Sequence, residues 1–488
     1  MGIGVNLGGP DFLTHEGPFL DRMRLHGDPW HDTAKCDPIS GLPTIAGDVT
    51  YQVPFDPVAD GAYQDYAVLC SDTVVEIRTT WGWVKPVKGR AVIRKLRSSI
   101  SAPVEVITSG PVDKLQIVRA DQEARLAAGE VFNPAFLAAV KPFCGLRLLN
   151  PSATNFEPPT VAGVQTTSWP PRRPLLTDGY FSTERGGIAA ELFGMLAKLT
   201  SKPLWYNIHH LMPTEQLIDV GKGVAAWGVP AKFELSNEIG YSFHRTWVFA
   251  AAAAHYKLAK ASYFDVLRYY GWRAGQMGLI LAQISPLFKV EIASQGSDGQ
   301  SNLPYILKGW DESGAPRSLI SGYANPGYLN LNDVEANDKF TAKYLDMVDR
   351  NDTEAFYLNV SSKVDGLVGR HAKAVKASAA EKLPFDVTEF NTSFYTQAPW
   401  VTDPIKRQRI LDWAAPLLHS DRMADIVANC AQRTFGVGVR DVYAFELSGP
   451  ASQYGAWGLL PHITQAPYPI YQRLAGMAKG PNLGAGIA

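Results

Sequence analysis

Lys232-Phe233-Glu234-Leu235-Ser236-Asn237-Glu238 is a short apolar run that ends in a carboxylate. Pro384-Phe385-Asp386-Val387-Thr388-Glu389-Phe390-Asn391 repeats the pattern further along the chain. Each reads as a buried strand whose last residue, Glu238 or Glu389, steps out of the core. In a barrel of alternating strands and helices, the carboxyl end of a strand is where chemistry is kept. Two glutamates held this way suit cleavage of a glycosidic bond. One donates a proton and the other stabilises or captures the sugar cation.

Working outward, the same strand–helix rhythm recurs. Strands are expected over 3–7, 143–149, 204–208, the run ending at Glu238, 288–294, 318–323, the run ending at Glu389, and 441–447. Helical apolar spacing occupies 187–196, 214–227, 246–260, 264–283, 353–382, 404–433 and 469–477. Eight such strands predict a (β/α)8 TIM barrel, which takes roughly 250 residues, or more than 400 with insertions. One stretch breaks the rhythm. Thr50-Tyr51-Gln52-Val53, Val74-Val75-Glu76-Ile77-Arg78 and Arg90-Ala91-Val92-Ile93-Arg94 alternate with period two between turn residues. That pattern is antiparallel sheet. The predicted division is 1–48 for the first barrel strand and a mouth loop, 49–125 for an inserted antiparallel β module, and 126–488 for the rest of the barrel.

The 488 residues carry a formal net charge of −1, which leaves no basic patch for nucleic acid. Cys36, Cys70, Cys144 and Cys430 are far apart, with no CxxC pair, so neither zinc nor a disulfide framework is expected. No metal or organic cofactor is needed where carboxyl groups do the chemistry. Met1 runs straight into Gly2-Ile3-Gly4-Val5, with no charged and apolar leader and no apolar run of membrane-spanning length. The expectation is a protein without membrane contact, cytoplasmic or virion-associated. Twelve Trp and twenty Tyr serve equally as core and as platforms for sugar rings.

The order of motifs resembles clan A glycoside hydrolases, in which an Asn-Glu pair ends the fourth strand and a lone Glu the seventh. The resemblance covers about two-thirds of the chain and leaves out the β module. It implies a retaining hydrolase with Glu238 as acid/base, Glu389 as nucleophile, and Asn237 hydrogen-bonded to the sugar 2-hydroxyl. It matches Arg147 in Gly145-Leu146-Arg147 to the arginine beside the nucleophile. His209-His210 match the histidine after the third strand, and Tyr323 the tyrosine that donates to the nucleophile. The clan's tryptophan after the eighth strand is replaced by Phe445-Glu446-Leu447. Trp457 takes that role from a loop, and Glu446 becomes a third carboxylate at the mouth. The segment Glu130-Val131-Phe132-Asn133-Pro134 also resembles little-characterised bacterial barrel proteins related to this clan.

Two rivals belong to other classes. A barrel that only binds polysaccharide, as part of a larger assembly such as a phage tail or receptor-recognition protein, would suit the missing leader. An aldolase or phosphate-using barrel would need a strand-end lysine or a Gly-rich loop, and neither is evident. Carbohydrate is the expected partner under the first two readings.

Overall fold

The computed structural model describes residues 1–9, 16–25, 35–37, 40–59, 62–96, 99–155, 160–161, 164–165, 170, 173–176, 178, 180–182, 185–237, 245–294, 299–332, 338–397, 400–453 and 455–478. Glu238 and part of the expected mouth loop lie outside them. Eight parallel strands close a barrel: Gly2–Asn6, Leu146–Arg147, Leu204–Ile208, Ala231–Leu235, Phe288–Ala293, Ile320–Asn330, Phe385–Ser393 and Asp441–Ala444, numbered here first to eighth. The first pairs with both the second and the eighth, which completes the ring. Helices cover the outside, as the apolar outer face of the parallel barrel requires.

Several expected boundaries move. The second strand shrinks to two residues, and the sixth extends to Asn330. The seventh runs four residues beyond Glu389, and the eighth stops at Ala444, which leaves Glu446 on the following loop. The helix expected over 353–382 is two, Thr353–Ser361 and Val364–Ala380. That over 404–433 is also two, because Ser420 caps a second helix, Asp421–Gly436. Gly299–Glu312 and Asp338–Asp349 are helices the sequence reading left out.

Outward-facing Ile3, Val5, Leu146, Leu204, Phe233, Val290, Val387 and Val442 pack on the helices in one large core. The interior is layered. Trp205, Ala324 and Tyr443 form a separate small cluster inside the ring. Gly4 makes room for it, since a Cβ there would sit 2.4 Å from the Tyr443 ring. Below lies an ionic layer. Lys232 Nζ is 2.5 Å from Asp386 and 3.3 Å from Glu291, and Arg440 closes on the same two acids. The Lys232 ammonium also lies 3.7 Å from the Trp205 ring centroid. Burial opposes ionisation of Asp386, but Lys232 and Arg440 outweigh it and hold its pKa low. Glu291, buried beside Asp386, shifts the other way.

Between the first and second barrel strands the chain builds two antiparallel sheets. One pairs Gly47–Pro54, Ser101–Thr108, Val74–Thr79 and Gly82–Val84, and the other Arg90–Lys95, Gln64–Cys70 and Leu115–Arg119. Buried and exposed residues alternate along Arg90–Lys95. The inward set, with Tyr51, Tyr66, Ile77 and Ile117, forms its own core. Arg22, from the short helix Arg22–Leu25, ties this module to the body through a buried ion pair with Asp56 at 2.8 Å. Among the described residues no helix is long and apolar enough to cross a membrane.

Asp386 balances two cations inside the ring. Asp386→Ala should therefore cost about 3–5 kcal/mol of stability, read as a lower urea midpoint. An unchanged midpoint would mean that the layer is hydrated and carries no such weight.

Candidate active site

Arg147 organises the upper end of the barrel. Its register sets it beside Asn6 on one side and Trp205 on the other, and its side chain is fully buried. Nε and Nη2 donate to Glu234 Oε2 at 3.3 and 3.0 Å. Nη1 donates to Asn6 Oδ1 at 2.9 Å and to Glu389 Oε1 at 3.0 Å. Nη2 also reaches Asn237 Oδ1 at 3.2 Å. Burial alone would lower the pKa of this guanidinium, but Glu234 and Glu389 outweigh it and raise it above the ordinary value. Glu234 is pushed up by burial, against the pull of Arg147.

Glu389 reaches this position through an irregularity in the seventh strand. Val387 pairs with Val442, but Phe390 pairs with Ala444, so three steps here match two on the neighbour. The sixth strand shows the same offset, with Asn325 opposite Val387 and Gly327 opposite Phe390. One extra residue lies in the seventh strand, a β-bulge. Strict alternation would place Glu389 with Val387, facing the helices. The bulge turns it inward, and Tyr328 donates to its Oε2 at 2.8 Å.

The expected tyrosine is thus corrected. Tyr323 faces the helix layer, packs on Phe385 and pairs with Ser294 Oγ at 2.6 Å. Tyr328 lies five residues along the same strand, an odd step that carries it to the inner face. The short strand expected over 318–323 did not reach it.

The fourth strand ends at Leu235, and Ser236 takes a left-handed conformation with φ of 62°. Such backbone strain is common beside functional groups. Its amide bonds Ile208 O, and its carbonyl accepts from Asn207. This turn delivers Asn237, whose side chain joins Arg147 to Asn155. Glu238 follows directly, outside the described residues. His209 and His210 are both buried, with stacked rings 4.2 Å apart. His209 Nδ1 accepts from Leu211 N, while His210 contacts Trp247 and Ser236.

Beyond the eighth strand, Asn391 Nδ2 donates to the carbonyls of Phe445 and Trp457. The Trp457 ring packs on Phe445, which also meets Tyr328, so an aromatic wall borders Glu389. Glu446 accepts from Asn150 at 3.2 Å. Burial pushes its pKa up to about 7, Asn150 pulls against this, and the nearby Glu389 charge adds to it. Glu16, with Gly8 N on its Oε1 at 2.7 Å, is also pushed up, chiefly by burial.

Arg147, Asn237, Glu389, Glu446 and Trp457 therefore converge on one end of the barrel, with His210 beside the Asn237 turn. Asn6, Glu234, Asn150, Glu16 and Tyr328 were missed. Glu234 had a legible signal: with Lys232 it marks a polar inward face on a strand whose Phe233 and Leu235 face the helices.

No family profile matches the sequence, and no curated protein matches it. By shape, the chain is similar to several solved glycoside hydrolases. A Cellvibrio japonicus xylanase in complex with xylopentaose aligns over 90% of this chain and 92% of its own, at 11% identity and a TM-score of 0.40. The catalytic core of xylanase A covers 71% and 92%, at 12% identity and 0.39. A 4-O-α-L-rhamnosyl-β-D-glucuronidase from Fusarium oxysporum covers 71% and 64%, at 11% identity and 0.40.

Glu446 holds its proton up to about 7 in the fold but loses it near ~4.3 when unfolded. Between those values the folded state binds the extra proton, so stability falls as pH rises. Glu446→Gln should flatten that fall in urea titrations run at about pH 5 and pH 7. An unaltered slope would put the carboxyl in bulk water.

Proposed function

We propose that the chain is a retaining glycoside hydrolase working through two glutamates. The observation that carries this reading is Glu389, turned into the barrel mouth by a bulge with a cation at 3.0 Å on one oxygen and a phenol at 2.8 Å on the other. Such a carboxylate is oriented and partly charge-balanced, as a nucleophile toward a sugar C1 requires. In the first step Glu389 bonds to C1, the glycosidic C–O bond breaks, and Glu238 protonates the leaving oxygen. In the second, Glu238 takes a proton from water, whose oxygen displaces Glu389 and restores the configuration. Asn237, tethered to Arg147, faces the sugar 2-hydroxyl, and Phe445 with Trp457 walls the ring. The substrate is an oligo- or polysaccharide.

A second reading gives the acid role to Glu446, favoured by its closeness to Glu389 and its pKa near 7. Leaving-group dependence separates the two. Glu389→Gln should abolish turnover of a dinitrophenyl glycoside while the fold persists, and unchanged turnover would reject the nucleophile. Loss of the true acid should cost about 10²–10⁴ in kcat/KM on an unactivated oligosaccharide and far less on the dinitrophenyl substrate. That pattern is expected of Glu238→Gln. Its appearance in Glu446→Gln alone would transfer the role. Product read by proton NMR should retain its anomeric configuration. If no glycoside in a broad panel is turned over but polysaccharide binds, the barrel is a binding component of a larger assembly.

Tyr328→Phe removes one of the two groups that orient Glu389. It should lower kcat on the order of tenfold and leave KM nearly unchanged. Wild-type kinetics in that variant would show that the hydroxyl plays no part.

A further inference from the structure

A second polar site lies on the seam between the β module and the barrel, apart from the carboxylates of the mouth. Two cavities, of about 450 and 200 Å³, meet at Asp21, Arg24 and Gln116. The larger falls within the size range of small-molecule sites, roughly 300–1,000 Å³. Arg24 comes from the short helix Arg22–Leu25, and Gln116 from the module strand Leu115–Arg119. The cleft therefore exists only where the two units join.

Arg24 is built for this position. Its guanidinium lies 5.9 Å from the ring centroids of both Phe19 and Phe181, which fix it from the barrel side. Its Nη1 is buried yet finds no acceptor among the described residues. A buried donor without a partner is uncommon and asks for an explanation. Asp21, on the same cleft, is held by three donors: Met23 N and Ile117 N on Oδ1, and Gln116 Nε2 on Oδ2. A carboxylate offers about four lone-pair sites, so Oδ2 keeps acceptor capacity toward the cavity. A rigid guanidinium donor beside an acceptor with spare capacity fits a hydroxyl, which accepts from one and donates to the other.

Charge decides between ligand classes. Among the described residues that line the larger cavity, Asp21, Asp113 and Asp178 stand against Arg24 and Lys114. An anion would meet net repulsion, and a simple cation would meet Arg24 at the centre. Leu42 and Leu176 supply apolar surface for the C–H face of a ring. We propose that this seam cleft is an accessory binding site for a neutral oligosaccharide, whose hydroxyls Arg24 and Asp21 recognise. The proposal rests on the carbohydrate reading of the barrel, and it would hold a polymeric substrate at a distance from Glu389.

The test uses calorimetric titration of the full chain carrying Glu389→Gln, so that the probe survives. The probes are xylopentaose, cellopentaose, mannopentaose and penta-N-acetylchitopentaose. At least one should bind two sites, and adding Arg24→Gln should weaken one of them on the order of tenfold or more. Leu176→Trp fills the cleft from its rim while leaving the Arg24 side chain in place, and it should give the same loss if Arg24→Gln folds poorly. Arg24→Gln in the otherwise native chain should leave aryl-glycoside turnover unchanged. Binding that neither Arg24→Gln nor Leu176→Trp weakens, or no binding by any probe, overturns the proposal. The two readings fail differently. One Arg24-dependent site without turnover would sink the hydrolase and keep the cleft. Turnover with binding indifferent to both cleft variants would do the reverse.

Discussion

The Arg147 guanidinium is the constraint on which the upper barrel depends. An arginine side chain has five N–H groups in a fixed plane. Here five hydrogen bonds use them, reaching Glu234 twice and Asn6, Glu389 and Asn237 once each. Those acceptors come from the first, fourth and seventh strands and from the turn after the fourth. A lysine, with three donors on a flexible stem, could not span them. Burying an unpaired guanidinium costs several kcal/mol, so the two carboxylates are a condition of the fold as well as groups of the site. Asn6 completes the arrangement from behind. Its amide donates to the carbonyls of Thr388 and Ala444, and this fixes the seventh and eighth strands around the bulge.

Below Arg147 the interior repeats the same solution with other residues. Trp205 lies within cation–π reach of Arg147 above and Lys232 below. Each strand that serves both ionic layers must carry a charge in each. The fourth does so with Lys232 and Glu234, two residues apart, as regular alternation allows. The seventh does so with Asp386 and Glu389, three apart, and can do so only because of its extra residue. The lower layer is thereby linked to the upper, which holds the candidate site, through the same strands.

This spacing explains what was legible in the sequence. The parallel rhythm and the period-two module stood out because apolar alternation reports on strands directly. Glu389 was legible as a carboxylate at the end of an apolar run, whereas Arg147 and Asn237 came only through the resemblance in motif order. The inward turn of Glu389 was not, since period two from Asp386 and Thr388 aims it at the helices, and nothing in Thr388-Glu389-Phe390 marks a bulge. The same limit exchanged Tyr323 for Tyr328. Pro326 and Gly327 are residue types that weaken strands, but the chain continues through them to Asn330. Glu234 was passed over among its apolar neighbours, although its signal was legible, since a charge amid Phe233 and Leu235 requires a buried partner.

The electrostatics of the mouth follow from an imbalance. Glu234, Glu389, Glu446 and Glu16 gather at one end of the barrel, where burial and close like charges disfavour the ionised form. Burial pushes Glu234, Glu446 and Glu16 upward, and the mutual repulsion of Glu389 with Glu234 and Glu446 adds to it. Three buried acids here are thus pushed toward the protonated form, and proton affinity alone does not single out the acid of the proposed reaction. Position does. Glu234 is sealed beneath Arg147 with its Oε2 already shared between Nε and Nη2, and Glu16 is tied to the Gly8 amide. In the proposed reaction, only a carboxyl that faces Glu389 across the width of a sugar ring would reach the leaving oxygen. Among the described residues that requirement leaves Glu446, which feels the Glu389 charge; Glu238, the residue after Asn237, lies outside them, and leaving-group dependence tells the two apart.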